Sequence, residues 1–384
     1  MGVDETGYLH SPLENFHSSH RAKLVPFAGW LMPLSYESER AEHAAVRSKV
    51  GLFDLSHMGE IVVEGKDAGP YLDHHLVSNI GSIGLGQAKY TLCCDTDGGI
   101  LEDLIVYRIG GDRYLLIVNA VNAQFMTDRL SKRDGFDVTA ENISKDYALI
   151  ALQGPRSFEI LQKAVGGALP DLKYYSIAEL AVNGIQSYVA RTGYTGEDGF
   201  EILCPAEAAE SMAELLYSAN GDDDKMTLCG LAARDSLRLE AGMALYGNEL
   251  SREVNPFEAG LGRLVDFSKS GDFVGRDSLL AVKDIPPKRF LAGFVVDSGR
   301  PARHGYEILP PEVINRPAAD NGKDTLAIGN VTSGAVSPTL RKSIGMGYVD
   351  SDFCGEGRNL CIKIRDKAEA AKIVNLPFYV RKKV

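Results

Sequence analysis

The sequence predicts an α+β fold whose last hundred residues form a separate β-rich body. Three observations predict it. Segments with helical apolar spacing alternate with short strand-like runs. Hairpin signals recur between those runs, which favours antiparallel pairing over a doubly wound parallel sheet. Beyond Pro286-Pro287 the character changes to short strand-like runs separated by Gly, Pro and Asn.

Taken in order, Ser38 to Lys49 reads as a helix, with Ser38 able to cap it and Gly51 able to end it. Glu60 to Glu64 reads as a strand. Ile100 to Ile109 and Tyr114 to Asn119 read as two strands joined by Gly110-Gly111-Asp112-Arg113, a hairpin signal. Tyr147 to Leu152, Ile185 to Ala190 and Phe200 to Leu203 are further strands. Ser157 to Ala164, Ala206 to Ala219 and Leu231 to Ala241 have helical spacing. Asp284 to Arg289 is a proline-broken linker. After it, Phe290 to Val296, Asp324 to Val331 and Lys342 to Val349 predict the strands of a small barrel or sandwich.

With 384 residues the chain is too long for one core. A formal charge of −11 argues against nucleic-acid binding, which needs a basic face. It leaves room for small anionic ligands held by a few arginines. No apolar run approaches the roughly 20 residues that cross a bilayer, so no membrane role is expected. The first ten residues, MGVDETGYLH, have neither the basic nor the apolar region of a secretory signal. The six cysteines form no CxxC pair and suit no zinc site, so buried thiols and no zinc are expected.

Three segments can carry chemistry. In Gly98 to Tyr107, a strand would set Asp103 on one face with Leu101, Ile105 and Tyr107, and Glu102 on the other. A carboxylate among apolar neighbours must be paired, bonded or neutral. Asp103 is therefore either a candidate acid, base or anchor, or a sheet-edge acid bonded to backbone amides. In Arg191 to Ile202, Glu201 can accept parallel N–H bonds from an amino-heterocycle such as a pterin. Alternatively Glu197, Asp198 and Glu201 are turn and surface acids. On Leu231 to Ala241, Arg234 and Arg238 share a helix face, either as an exposed ion-pair network or as a fork for a ligand oxygen. Asp54, Ser56 and His57 make a hydrolase triad conceivable, but closeness in sequence does not make one. There is no G-x-S-x-G elbow, no H-E-x-x-H and no Walker A sequence.

In order along the chain come Pro26 to Trp30, Gly51 to Met58, Gly98 to Tyr107, Ala151 to Pro155, Arg191 to Ile202 and Gly230 to Gly242. Asn255-Pro256, Asp272 to Arg276 and Gly329 to Pro338 follow. This series of blocks resembles the glycine cleavage T-protein family from about residue 8 to the C-terminus. The resemblance implies a three-lobed cloverleaf with a central folate channel. Two ferredoxin-like α+β lobes would span 8–284, the inner one about 55–145, and a C-terminal β-barrel would span 285–384.

The resemblance also implies an aminomethyltransferase, in which a one-carbon unit on the lipoyl arm of the H protein passes to tetrahydrofolate. Asp103 matches the family's key carboxylate and would orient and polarise the folate amine. Glu201 and Arg234 would hold the pterin end. Tyr90, Asn119 and Tyr194 would line the channel, and Met58 would pack on the pterin. Arg381 would meet the folate glutamate or the H protein. The resemblance implies no metal. Glu102 stands where the family usually has Asp, and since it should face away from the ligand, little consequence is expected. The compartment implied is a bacterial cytoplasm, or a mitochondrial matrix if a transit peptide has been removed. Two relatives of the same fold are the alternatives: a folate-dependent demethylase, and a non-catalytic folate-binding protein of iron–sulfur assembly. The latter's Lys-Gly-Cys-type motif has no counterpart in Gly262 to Lys269.

Overall fold

A computed structural model describes residues 7–219, 221, 226–315 and 326–381. The first six residues of the N-terminal reading, and Asp324 and Thr325 of the predicted strand, lie outside them. The chain divides into two compact units. The first comprises 1–93, 102–234 and 269–273; the second comprises 94–101, 235–268 and 274–384.

The first unit is built mainly on two sheets. One has six strands in the order Ile177–Val182, Ile185–Ala190, Gly199–Pro205, Tyr147–Gln153, Gly51–Asp54 and Thr227–Cys229. All its pairings are antiparallel except the last, which is parallel. Its core packs Leu52, Ile150, Leu152, Phe200 and Ile202 against Ile160 and Leu161 of one helix and Met212 and Leu216 of another. The second sheet has five strands: Ala88–Cys94, Ile100–Gly110, Arg113–Val118, Gly59–Glu64 and Thr139–Asn142. The predicted hairpin at 110–113 is present, with Ile105 opposite Ile117. A smaller three-stranded sheet, Leu9–His10, Trp30–Ser35 and Lys23–Phe27, was not foreseen from the sequence.

The helix Glu39–Ser48 starts as predicted, with the Ser38 hydroxyl accepting from Ala41 N–H at 3.3 Å. Gly51 does not end it; it opens a strand. The reason is space: a Cβ there would lie 2.6 Å from both Cys229 Sγ and Val46. The segment 269–273 is tied into this unit by Lys269. Its ammonium donates to the carbonyls of Asp73, Leu76 and Ser78 at the end of the helix Ala68–His75.

The second unit contains a closed six-stranded barrel, in the order Arg289–Val296, Ser343–Asp350, Gly329–Val336, Glu307–Leu309, Asn359–Ile364 and Lys367–Val374. The α+β class with a C-terminal barrel therefore stands. One strand is displaced from its predicted position: it runs Gly329–Val336 rather than ending at Val331. Ser333 and Gly334 lack strand propensity, but they pair with Met346 and Gly345 beyond a bulge at Thr332. Gly334 is needed there, since a Cβ would meet the Ala302 carbonyl at 1.9 Å. Five of the six cysteines are buried, and all are free thiols. Among the described residues no helix is long and apolar enough to cross a membrane.

Candidate active site

Asp103 lies on the strand Ile100–Gly110, half-buried. Its Oδ2 accepts the Tyr90 hydroxyl at 2.9 Å, and its Oδ1 accepts Asn119 Nδ2 at 2.9 Å. The hairpin register explains the second contact: two residues beyond the Ile105–Ile117 pair, Asn119 falls opposite Asp103. Burial, and then the charge of Asp103, push the Tyr90 phenol up, so it remains a donor.

Glu102, expected to face away from the ligand, reaches the same amide as Asp103. It is fully buried, yet it does not lead away from Asp103. Its Oε1 accepts Asn119 N–H at 2.6 Å and Asn119 Nδ2 at 3.0 Å, and its Oε2 accepts Asn122 Nδ2. The two carboxylates thus share one amide group, because Asn119 sits just past the end of the neighbouring strand and reaches both.

A second cluster forms around Glu201, on Gly199–Pro205. Glu201 Oε2 accepts Thr192 Oγ1 at 2.5 Å and the Tyr107 hydroxyl at 3.5 Å. Both bonds fall on Oε2. The Arg234 guanidinium stacks 4.9 Å over the Tyr194 ring, and Glu201 is among the charges that act on it. Tyr107 belongs to the Asp103 strand, so that strand joins the two clusters. Four residues of strand separate them, roughly 13 Å.

The loop between the strands Ile185–Ala190 and Gly199–Pro205 is held by Gln153. The Gln153 amide donates to Thr192 O at 3.0 Å and accepts Thr195 Oγ1 at 2.9 Å. Gly193 and Gly199 make room for it: a Cβ on either would lie within 2.3 Å of that side chain. The loop acids divide by role. Glu197 pairs with Arg47 at 3.0 Å, and Asp198 takes both ends of the Arg191 fork, at 3.0 and 2.6 Å. These two hold the loop, while Glu201 faces the second cluster.

Arg238 is structural. It is fully buried between Asp235, Glu249 and Ser333. The Asp54, Ser56 and His57 triad does not form. Asp54 Oδ2 is bonded to Ser11 Oγ at 2.5 Å and to His17 Nε2 at 2.8 Å, and Ser56 Oγ accepts Leu149 N–H. Burial alone would raise the Asp54 carboxyl, but the His17 and Ser11 bonds outweigh it and hold it down to about 2. His57 is buried and lies within the field of Arg234. Burial, then that positive charge, push its imidazole down to about 4. Met58 is half-buried in the turn after Asp54. Arg381 is half-buried in the second unit, beyond its last strand. No group of three or more His, Cys, Asp and Glu side chains is arranged to hold a metal among the described residues.

Residues 13–269 match the family model described as "GCVT N-terminal domain", and 289–379 match "Glycine cleavage T-protein C-terminal barrel domain". The chain belongs to the glycine cleavage T-protein family. A Streptomyces avermitilis protein named "Aminomethyltransferase" is 48% identical over 379 residues, covering 97% of this chain and 98% of the relative. A Streptomyces coelicolor protein of the same name is 45% identical, covering 99% and 100%. The crystal structure of glycine cleavage system aminomethyltransferase T from Bartonella henselae superimposes with a TM-score of 0.88 at 34% identity. That match covers 97% of this chain and 99% of that one.

Of the residues expected from the sequence, Asp103, Tyr90 and Asn119 come together in the first cluster, and Glu201, Arg234 and Tyr194 in the second. Sequence reasoning missed Thr192 and Gln153, expected little of Glu102 and gave Tyr107 no role. Thr192 and Gln153 carry no local signal of their own. Tyr107 did, since it was placed on the Asp103 face.

Proposed function

We propose that this family member is the aminomethyltransferase of the glycine cleavage system. It moves the one-carbon unit from S-aminomethyldihydrolipoyl H protein to tetrahydrofolate, giving 5,10-methylenetetrahydrofolate, ammonia and dihydrolipoyl H protein. The observation that carries the site assignment is the Asp103 carboxylate, held by the Tyr90 hydroxyl on one oxygen and the Asn119 amide on the other. A carboxylate clamped in this way keeps its aim while it orients an amine. It also stabilises positive charge that builds during the transfer.

The second cluster fits a reduced pterin. Glu201 accepts no bond at Oε1 among the described residues, which leaves that oxygen for a ring N–H or amino group. The Arg234 fork supplies donors to a carbonyl, and the Tyr194 ring beneath it helps to hold the guanidinium. When bound, tetrahydrofolate supplies the nucleophilic amine. Asp103 would hold the proton and position of that amine, and Met58 would give the ring an apolar neighbour. We assign Arg381 to the glutamate end of the folate or to the H protein. Catalysis then comes mostly from positioning and water exclusion, without a covalent enzyme intermediate. The bacterial relatives support a cytoplasmic location. They carry the aminomethyltransferase name over nearly their whole length, so the demethylase and iron–sulfur readings are not favoured.

The test mixes the protein with tetrahydrofolate and aminomethylated H protein. Ammonia release that requires both is expected. Release that proceeds without folate would remove the reading.

A further inference from the structure

We propose that Glu102 is a positioning residue that acts on the aminomethyl transfer through Asn119; this deepens the function proposed above and rests on it. A carboxamide is planar, with its two donors on one end and its acceptor on the other. Asn119 Nδ2 lies 3.0 Å from Glu102 Oε1, 2.9 Å from Asp103 Oδ1 and 3.0 Å from Asp103 O. All three are acceptors. A flipped amide would set its oxygen against two carboxylate oxygens and a carbonyl, so the NH2 end is locked inward. Glu102 also anchors the backbone of Asn119 by taking its N–H at 2.6 Å, and it holds Asn122 at the other end of the turn Ala120–Asn122. Without Glu102 the amide would lose one of its three acceptors and its backbone anchor, and would be held by Asp103 alone. Asp103 Oδ1 would then lose a fixed donor.

Burial, and then the charge of Asp103, push the Glu102 carboxyl up toward its neutral form, against the three N–H bonds that favour the ion. Neutral Gln is its isostere and keeps an acceptor for Asn119. Position and charge can therefore be separated. The Gln Nε2 would face the Asn122 amide, which must present its oxygen for that contact to hold.

The experiment compares E102A, E102Q, N119A and the E102A/N119A double variant in the complete reaction. Thermal melts score folding, and 15N NMR follows the Asn119 side-chain NH2 pair. E102A is expected to lower kcat by about 10- to 100-fold, the scale of a slightly misplaced catalytic group, with KM for folate within about threefold. E102Q is expected to return kcat to within about fivefold of the parent. In the N119A background, E102A should change kcat by less than about twofold, because the two act as one unit.

A contribution only to the stability of the turn would instead lower the melting temperature and leave kcat intact, and that result would overturn the proposal. Multiplying effects in the double variant would overturn it as well. So would an E102Q variant as slow as E102A, since charge rather than position would then matter. If E102A does not fold, E102Q decides: near-parent kcat supports the role and a loss beyond about 10-fold overturns it. Should the parent protein release no ammonia with folate, the function reading alone fails. The Asn119 signals then still report on Glu102: displaced in E102A they support its hold, and unmoved they remove it.

Discussion

The Tyr107 hydroxyl meets Thr192 Oγ1 at 3.0 Å, across 85 residues of chain. Tyr107 lies on the strand that carries Asp103, and Thr192 opens the loop that leads to Glu201. This contact sets the spacing between an acid suited to orient an amine and an acid suited to hold a ring. Burial, then the charge of Glu201, push the Tyr107 phenol up, so it keeps its proton and its bond at any physiological pH.

Asp103→Asn keeps the shape of the clamp but removes the charge. Folate affinity by titration calorimetry should stay within about threefold, while turnover by ammonia release should fall by about 100-fold or more. Near-normal turnover would exclude Asp103 from the chemistry.

Glu201→Ala and Arg234→Ala should weaken folate binding directly, by about 10-fold or more each, as expected for charge-assisted hydrogen bonds. Calorimetry showing parental affinity would take them out of the site. Tyr107→Phe should act in the same direction but more weakly, since it loosens Glu201 without deleting it.

Gly193→Ala would put a Cβ 2.0 Å from Gln153 Oε1. Gln153 is buried and bonded at both ends of its amide, so it cannot swing away freely. A loss of about 1–3 kcal/mol is expected in denaturant unfolding. The same change at Gly167, where a Cβ meets nothing within 4 Å, should lie within about 0.5 kcal/mol.

His57 predicts acid sensitivity. Its imidazole is pushed from 6.5 to about 4 in the folded protein, with burial the largest cause. Between these values the unfolded chain binds a proton that the folded one refuses, so stability falls as pH drops from about 6.5 to 4. The full effect is about 3–4 kcal/mol, taken at roughly 1.4 kcal/mol per unit. His57→Gln should lessen the slope of that part of the stability–pH curve in urea titrations, leaving the share of His75, which burial also pushes down to about 4. An unchanged slope would show that His57 does not carry it.

Local chemistry made much of this molecule legible. Ser38 announced its helix because an N-cap acts within three residues. The hairpin at 110–113 was readable because turn residues and strand alternation are both short-range. Asp103 and Glu201 stood out as acids within apolar strands. Other features were not local. Gly51 looked like a helix end until Val46 and Cys229 were seen to crowd it. Glu102 looked irrelevant because alternation sends it to the opposite face, and only the neighbouring strand shows that Asn119 reaches around to both acids.

What the sequence determined alone is the class, the barrel after Pro287, the family and the two acids to which the proposed function is assigned. The class is encoded by residue type and near-neighbour spacing, and the family, with the acids it implies, by the order of short blocks along the chain. The tertiary structure decided which groups hold those acids: Tyr90, Asn119 and Glu102 for one, Thr192 and Tyr107 for the other. Side chains distant in sequence meet only after strands have paired and glycines have let backbones and side chains close in. Hydrogen-bond geometry of that kind is set by packing, which no local pattern specifies.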